Sequence, residues 1–255
     1  MNYSYETIPL ATGGEKSVHR GQCVENGLDV VVKFLRKPFT QNDLSRFALE
    51  IQRMLSAKES TGNRLSTVLD YNLEVDPPFY VEEYFPDGSL AEKMEAVFQQ
   101  GRIFTEGAAV GYCRQILYGL HGIHSSNQIH RDLKPSNIMV RAQEKQLVIV
   151  DMGLGRTLTR PTVLQTRAFC GTRGYAAPEQ ELGGAVDHRA DLYAVGVILH
   201  EMLTGERGAW NSNTFNRSPE VGQIIEQLLQ FDRRHRFASA MQAIAEIDAL
   251  GIATR

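Results

Sequence analysis

A chain of 255 residues, 42% hydrophobic and 22% charged, is long enough to bury a sizeable core as one domain or as two closely packed lobes. Its formal net charge of −3 gives it no basic field, which leaves a nucleic-acid partner without electrostatic support. Cys23, Cys113 and Cys170 are an odd number with no CxxC spacing, so a complete disulfide framework is excluded and a reducing compartment is expected, the thiols reading as small buried hydrophobes. No apolar run reaches the ~18 residues of a membrane span. The opening "MNYSYETIPL" lacks the charged and apolar regions of a signal peptide. The expectation is a cytoplasmic protein without a membrane partner.

Up to about Tyr84 the pattern is mostly short strands. "SVHRGQCV" and "LDVVVKFL" flank the Asn26-Gly27 hairpin signal, and "FYVEEYF" follows the Pro77-Pro78 break. One helix is predicted among them from Asn42 to about Lys58, with Leu44, Phe47, Ile51, Met54 and Leu55 at helical spacing. Beyond Tyr84 the pattern turns helical. Ser89 opens an S-x-x-E capping box closed by Glu92, for a helix ending near Gly101. Further helices are predicted from about Thr105 to His124, Asp187 to Thr204, Pro219 to Gln230 and Ser239 to Leu250. A sheet-rich part, 1–84, thus precedes a helical part, 85–255, with "EEYFPDG" as the crossing.

The chemical signal lies between the helices, in "IHRDLKPSNIMV" and "LVIVDMGLG". Asp132 and Asn137 share a loop, and the apolar run "LVIV" delivers Asp151 to the same region. Hard oxygen ligands of this kind suit Mg2+, which takes one or two carboxylates together with substrate phosphates.

With Lys33 upstream in "VVVKF", the ordered series Lys33, Glu50, His130-Arg131-Asp132, Asn137, Asp151-Met152-Gly153 and Ala177-Pro178-Glu179 resembles the signature set of protein kinases, over essentially the whole chain. The resemblance implies a two-lobed α+β fold and an ATP- and Mg2+-dependent enzyme. Lys33, oriented by Glu50, would contact the α- and β-phosphates. Asp132 would accept the proton of the substrate hydroxyl, Lys134 would offer charge to the transferring group, and Asn137 and Asp151 would hold Mg2+. His130 is implied to be packed and structural. His121 and His124 read as ordinary helix residues. Lys134, two positions after the aspartate, and Thr172 in "GTRGYAAPE" look like the serine/threonine class, and "APEQ" with terse loops resembles bacterial kinases of eukaryotic type.

In that register the stretch "LATGGEKSVHRG" covers the phosphates, yet Ala11, Gly13 and Lys16 occupy its three glycine positions and only Gly13 matches. Glu15 beside a triphosphate would repel and Lys16 would attract. Val18, Val31 and Met139 would wall the adenine slot, Glu82 stands at the gatekeeper position, and Glu83 to Phe85 form the hinge. A looser cover over ATP is the expectation. The alternative is a pseudokinase-like scaffold that binds nucleotide or a partner without transferring phosphate.

The resemblance carries three further expectations. "RGAWNSNTFNR" leaves room for only a shortened or missing helix between about Gly205 and Ser218, and Arg236 should pair with Glu179. The segment from Met152 to Pro178 carries Arg156, Arg160, Arg167 and Arg173 and no acidic residue. Together with Arg131 these would receive a phosphothreonine, Thr166 being favoured, while Thr172 serves as a structural hydroxyl. Protein substrates are implied, and since no sensor domain is evident in these residues, input would come through a regulatory partner protein or this segment.

Overall fold

The computed structural model describes residues 2–12, 15–143, 145–152, 156–157, 171–207 and 218–252. Its elements in chain order are β1 (Tyr3–Tyr5), β2 (Ala11–Thr12), β3 (Lys16–Cys23), β4 (Asp29–Leu35), α1 (Gln41–Thr61), β5 (Val68–Asn72) and β6 (Phe79–Glu83). There follow α2 (Leu90–Phe98), α3 (Glu106–Ser125), β7 (Gln128–Ile129), β8 (Ile138–Arg141), β9 (Gln146–Ile149) and β10 (Arg156–Thr157). The chain continues with α4 (Pro178–Glu181), α5 (Arg189–Thr204), α6 (Pro219–Leu228) and α7 (Ala240–Ala249).

An antiparallel sheet in the order β1-β3-β4-β6-β5, with β2 beside β3, forms the N-terminal part. The alternation of β4 sorts its side chains onto two faces. Val30, Val32 and Phe34 pack with Phe79 and Val81 on the outer face. Leu35, in contrast, joins Tyr80 and the α1 residues Phe47, Ile51 and Met54 in the main core. Lys33 shares that inner face, opposite Val18 on β3 and Tyr80 on β6. Arg20, Val31 and Glu82 form the adjacent row.

Helix α1 starts one residue before its predicted position because Thr40 caps it, and runs on to Thr61, where Gly62 ends it. The Thr40 hydroxyl accepts from the Asp43 N–H, and the Asp43 carboxylate accepts from the Thr40 N–H. The predicted Ser89-Glu92 box is present at α2 in the same reciprocal form. Helices α1 and α3 meet closely at Gly122, where a Cβ would fall 2.6 Å from the Ser60 carbonyl oxygen.

Helix α5 runs through the centre of the helical part with Ala190, Leu192, Val195, Ile198, Leu199 and Met202 all buried, and stops at Gly205, whose φ of 75° is left-handed. The two-lobed α+β arrangement matches the expectation. Residues 208–217, where the shortened or missing helix was expected, lie outside the described residues, and α6 resumes at Pro219. Among the described residues no helix is long and apolar enough to cross a membrane. Burial pushes the Cys113 thiol up to about 12, which keeps it protonated and inert.

Candidate active site

The loop between β7 and β8 carries Asp132, and it is held from beneath by Asp191 at the start of α5. The buried Asp191 carboxylate accepts from the backbone N–H of His130 at 2.9 Å, from that of Arg131 at 2.8 Å and from His124 Nε2 at 2.8 Å. Burial works against ionisation of Asp191, but the His124 hydrogen bond and the other donors outweigh it and hold its carboxyl below the usual range. This anchorage keeps Arg131 in the left-handed region, with φ of 70°. His130 is fully buried, as the sequence implied. Its Nδ1 accepts from the Asp132 N–H at 3.3 Å, which leaves Nε2 to donate to the Val150 carbonyl at 3.2 Å.

Around Asp132 three side chains converge. Thr172 Oγ1 donates to Asp132 Oδ1 at 2.7 Å and accepts from Lys134 Nζ at 2.7 Å. Lys134 Nζ also lies 2.9 Å from Asp132 Oδ2. Asn137 Nδ2 donates to the Asp132 carbonyl at 2.9 Å. The carboxylate is thus fixed in orientation, with an ammonium beside it, and the Thr172 hydroxyl links it to Lys134.

The sheet supplies the roof of the site, and here the structure departs from the sequence reading. The expected pair between Lys33 and Glu50 is not formed. Lys33 Nζ lies 3.1 Å from Glu82 Oε1, on the neighbouring strand and diagonal to Lys33 in the register. Glu50 instead receives Lys16 Nζ at 2.7 Å and the Tyr80 hydroxyl at 2.8 Å, both on Oε1. The same Lys16 ammonium reaches Asp151 Oδ1 at 2.9 Å.

Burial opposes the Lys16 charge, but Glu50 and Asp151 outweigh it and hold its pKa above the ordinary value. Burial likewise opposes ionisation of Asp151, yet Lys16 and Lys33 nearby keep its carboxyl well below the usual range. For Glu50 burial wins, and its carboxyl lies above the usual range in spite of Lys16. Glu15, whose repulsion of a triphosphate was anticipated, is drawn 3.1 Å from Arg46 on α1.

Val18 and Val31 lie on the inner face of the sheet, next to Lys33 and Glu82 respectively. Phe85 packs with Val148 and Val150, and Met139 rests against them. Glu83 accepts two hydrogen bonds from Arg141, of 2.8 and 2.6 Å, which secures the chain just before Phe85. Gly13 and Thr166 lie outside the described residues. Asn137 and Asp151 fit the Mg2+ expected from the sequence. The Asn137 amide spends its nitrogen on Asp132, leaving Oδ1 as a hard oxygen ligand, and Asp151 is kept ionised.

Two residues in this region were not anticipated. Asp191 was read only as part of a helix, and His124 as an ordinary helix residue, whereas the two hydrogen-bond each other beneath the loop. The signal for Asp191 was a lone acid between apolar residues in "RADLYAVGV". Farther out, the expected pair is present: Arg236 Nη1 and Nη2 each donate at 2.8 Å to Glu179.

The protein kinase domain family matches residues 9–247 of the chain. The serine/threonine-protein kinase PknL of Mycobacterium tuberculosis is 33% identical over 199 residues, covering 77% of this chain and 48% of PknL. The serine/threonine-protein kinase pkn3 of Myxococcus xanthus is 31% identical over 211 residues, covering 80% of this chain and 38% of that protein. The PknA kinase of Corynebacterium glutamicum is 32% identical over 205 residues, covering 78% of this chain and 42% of PknA. The chain therefore spans about half the length, or less, of these relatives. A match of this extent, joined to the aspartate loop and the Glu179–Arg236 bridge, makes the chain a member of the protein kinase family, similar to the bacterial serine/threonine kinases.

Proposed function

We propose that this chain transfers the γ-phosphoryl group of ATP, with Mg2+, to serine and threonine hydroxyls of protein substrates, its own activation segment, Met152 to Pro178, included. The observation that carries the reading is the Asp132 carboxylate fixed by Lys134 and Thr172, with Asn137 holding its backbone carbonyl. Asp132 accepts the proton of the attacking hydroxyl and aligns it, and the Lys134 charge steadies the phosphoryl oxygens. Bound Mg2+ supplies positive charge against the phosphate oxygens, held by Asn137 and Asp151. The adenine slot is walled by Val18, Val31 and Met139, its polar edge is the hinge from Glu83 to Phe85, and Gly13 covers the phosphates. Residues 1–84 act as the nucleotide-covering lobe and 85–255 as the substrate lobe. The setting is cytoplasmic, with a protein substrate and a regulatory partner protein as the expected company.

A second reading, a nucleotide-binding scaffold, draws on Lys16, which engages the Asp151 carboxylate, and on the glycine-poor cover. Labelled ATP with Mg2+ separates the two. Transfer by the native protein that Asp132→Ala removes supports the kinase; nucleotide binding without any transfer to itself or to a generic protein substrate supports the scaffold.

A further inference from the structure

Two lysines project from the inner face of the sheet, and their partners divide them. Lys33 is buried against Glu82, and the second oxygen of that carboxylate is filled by the Ser66 hydroxyl at 3.0 Å. Moving Lys33 to Glu50 would strip Glu82, only 2% exposed, of its counter-charge. Glu50, for its part, is already occupied by Lys16 and Tyr80. Lys16 stands at the start of β3, at the third glycine position of the sequence pattern, and it touches Asp151, the carboxylate assigned to the metal.

We infer that Lys16, positioned by Glu50, is the lysine that contacts the nucleotide phosphates, while Lys33 is a positioning residue locked to Glu82 in the wall behind them. The inference rests on the kinase reading and refines it. It also explains the lysine at the third glycine position of the cover: the side chain that would crowd the phosphates there is the one that binds them. An ammonium is a compact point charge able to satisfy phosphate oxygens from this position. The pairing with Glu50 and Asp151 holds its ammonium aimed before nucleotide arrives.

The test compares native protein with Lys16→Met, Lys16→Gln and Lys33→Met, each checked for a cooperative melt. Binding of ADP and of adenosine is measured by calorimetry, and phosphate transfer with labelled ATP and Mg2+. Loss of one charged phosphate contact should cut the preference for ADP over adenosine about 10- to 100-fold in both Lys16 variants, with adenosine affinity little changed. Transfer should fall by about 100-fold or more. Lys33→Met should keep most of the ADP preference and show its larger effect in the melt. If the Lys16 variants retain the ADP preference while Lys33→Met loses it, the inference is overturned. Should the native protein bind nucleotide but transfer nothing, the kinase reading fails, and the ADP comparison still decides between the two lysines.

Discussion

Glu179 and Arg236, 57 residues apart in sequence, meet through two parallel hydrogen bonds of 2.8 Å. The Arg236 side chain is fully enclosed, and its remaining donors reach the carbonyls of Gln230, Arg189 and Phe231. Its guanidinium also lies 4.9 Å from the centre of the Tyr193 ring. The bridge therefore ties α4, at the end of the activation segment, to the start of α5 and the turn before α7.

Arg236→Met should cost about 3–5 kcal/mol, because it leaves the Glu179 carboxylate and several carbonyls without a donor. Urea denaturation measures this directly. A loss below about 1 kcal/mol would show the pair behaving like an exposed one. The double variant with Glu179→Gln should recover part of the loss.

Asp191→Asn tests the anchorage of the aspartate loop. It removes the charge that accepts from His130, Arg131 and His124 while keeping the side-chain size. A displaced Asp132 should lower kcat by about tenfold or more with a smaller change in KM for ATP, since the nucleotide roof is untouched. An unchanged kcat would mean that the loop holds its place without Asp191.

His200 on α5 gives a pH signature. Burial holds its imidazole below the ordinary 6.5, although Glu206 and Glu201 act in the other direction. As pH falls through about 6.5 the unfolded imidazole takes a proton that the folded one refuses. Stability therefore drops between that pH and the lower folded value, and this group contributes no slope above it. Urea midpoints at a series of pH values should fall more steeply for the native protein than for His200→Gln. Parallel curves would remove His200 from the account.

Control of the activation segment is tested at Thr166. The segment carries four arginines and no acid, and Arg131 precedes Asp132, so a phosphothreonine would find charge-assisted partners. Mass spectrometry should find phosphate on Thr166 in active protein and none in the Asp132→Ala form, and Thr166→Ala should lower activity. Full activity without modification would leave the segment as a solvated basic loop.

Local signals in the sequence led to the right elements wherever the responsible atoms are close along the chain. The S-x-x-E box at Ser89 is one case. The matching box at Thr40 escaped because its acid is Asp43, one methylene shorter than the usual partner, so α1 was started late. In the structure, strand alternation puts Lys33 and Glu82 on the inner face. Lys16 falls on the same face, and periodicity carries nothing about which of two inward lysines reaches an acid on another element. The loop residues were legible as a motif, but their support was not, since Asp191 lies about 60 residues beyond the backbone groups it holds and sits in an otherwise apolar helix.

The Lys33–Glu82 pair also defines what a synthetic ligand would meet. Next to Glu83 on β6 stands a buried ion pair with Ser66 attached, where a bulky hydrophobic tail would displace a satisfied carboxylate and leave it unsolvated. Compounds built to drive an aryl group past Glu83 are therefore disfavoured here. A small ligand ending in a cationic or strongly donating group could exchange places with the lysine, and an inhibitor series for this chain would select for basicity where others select for grease.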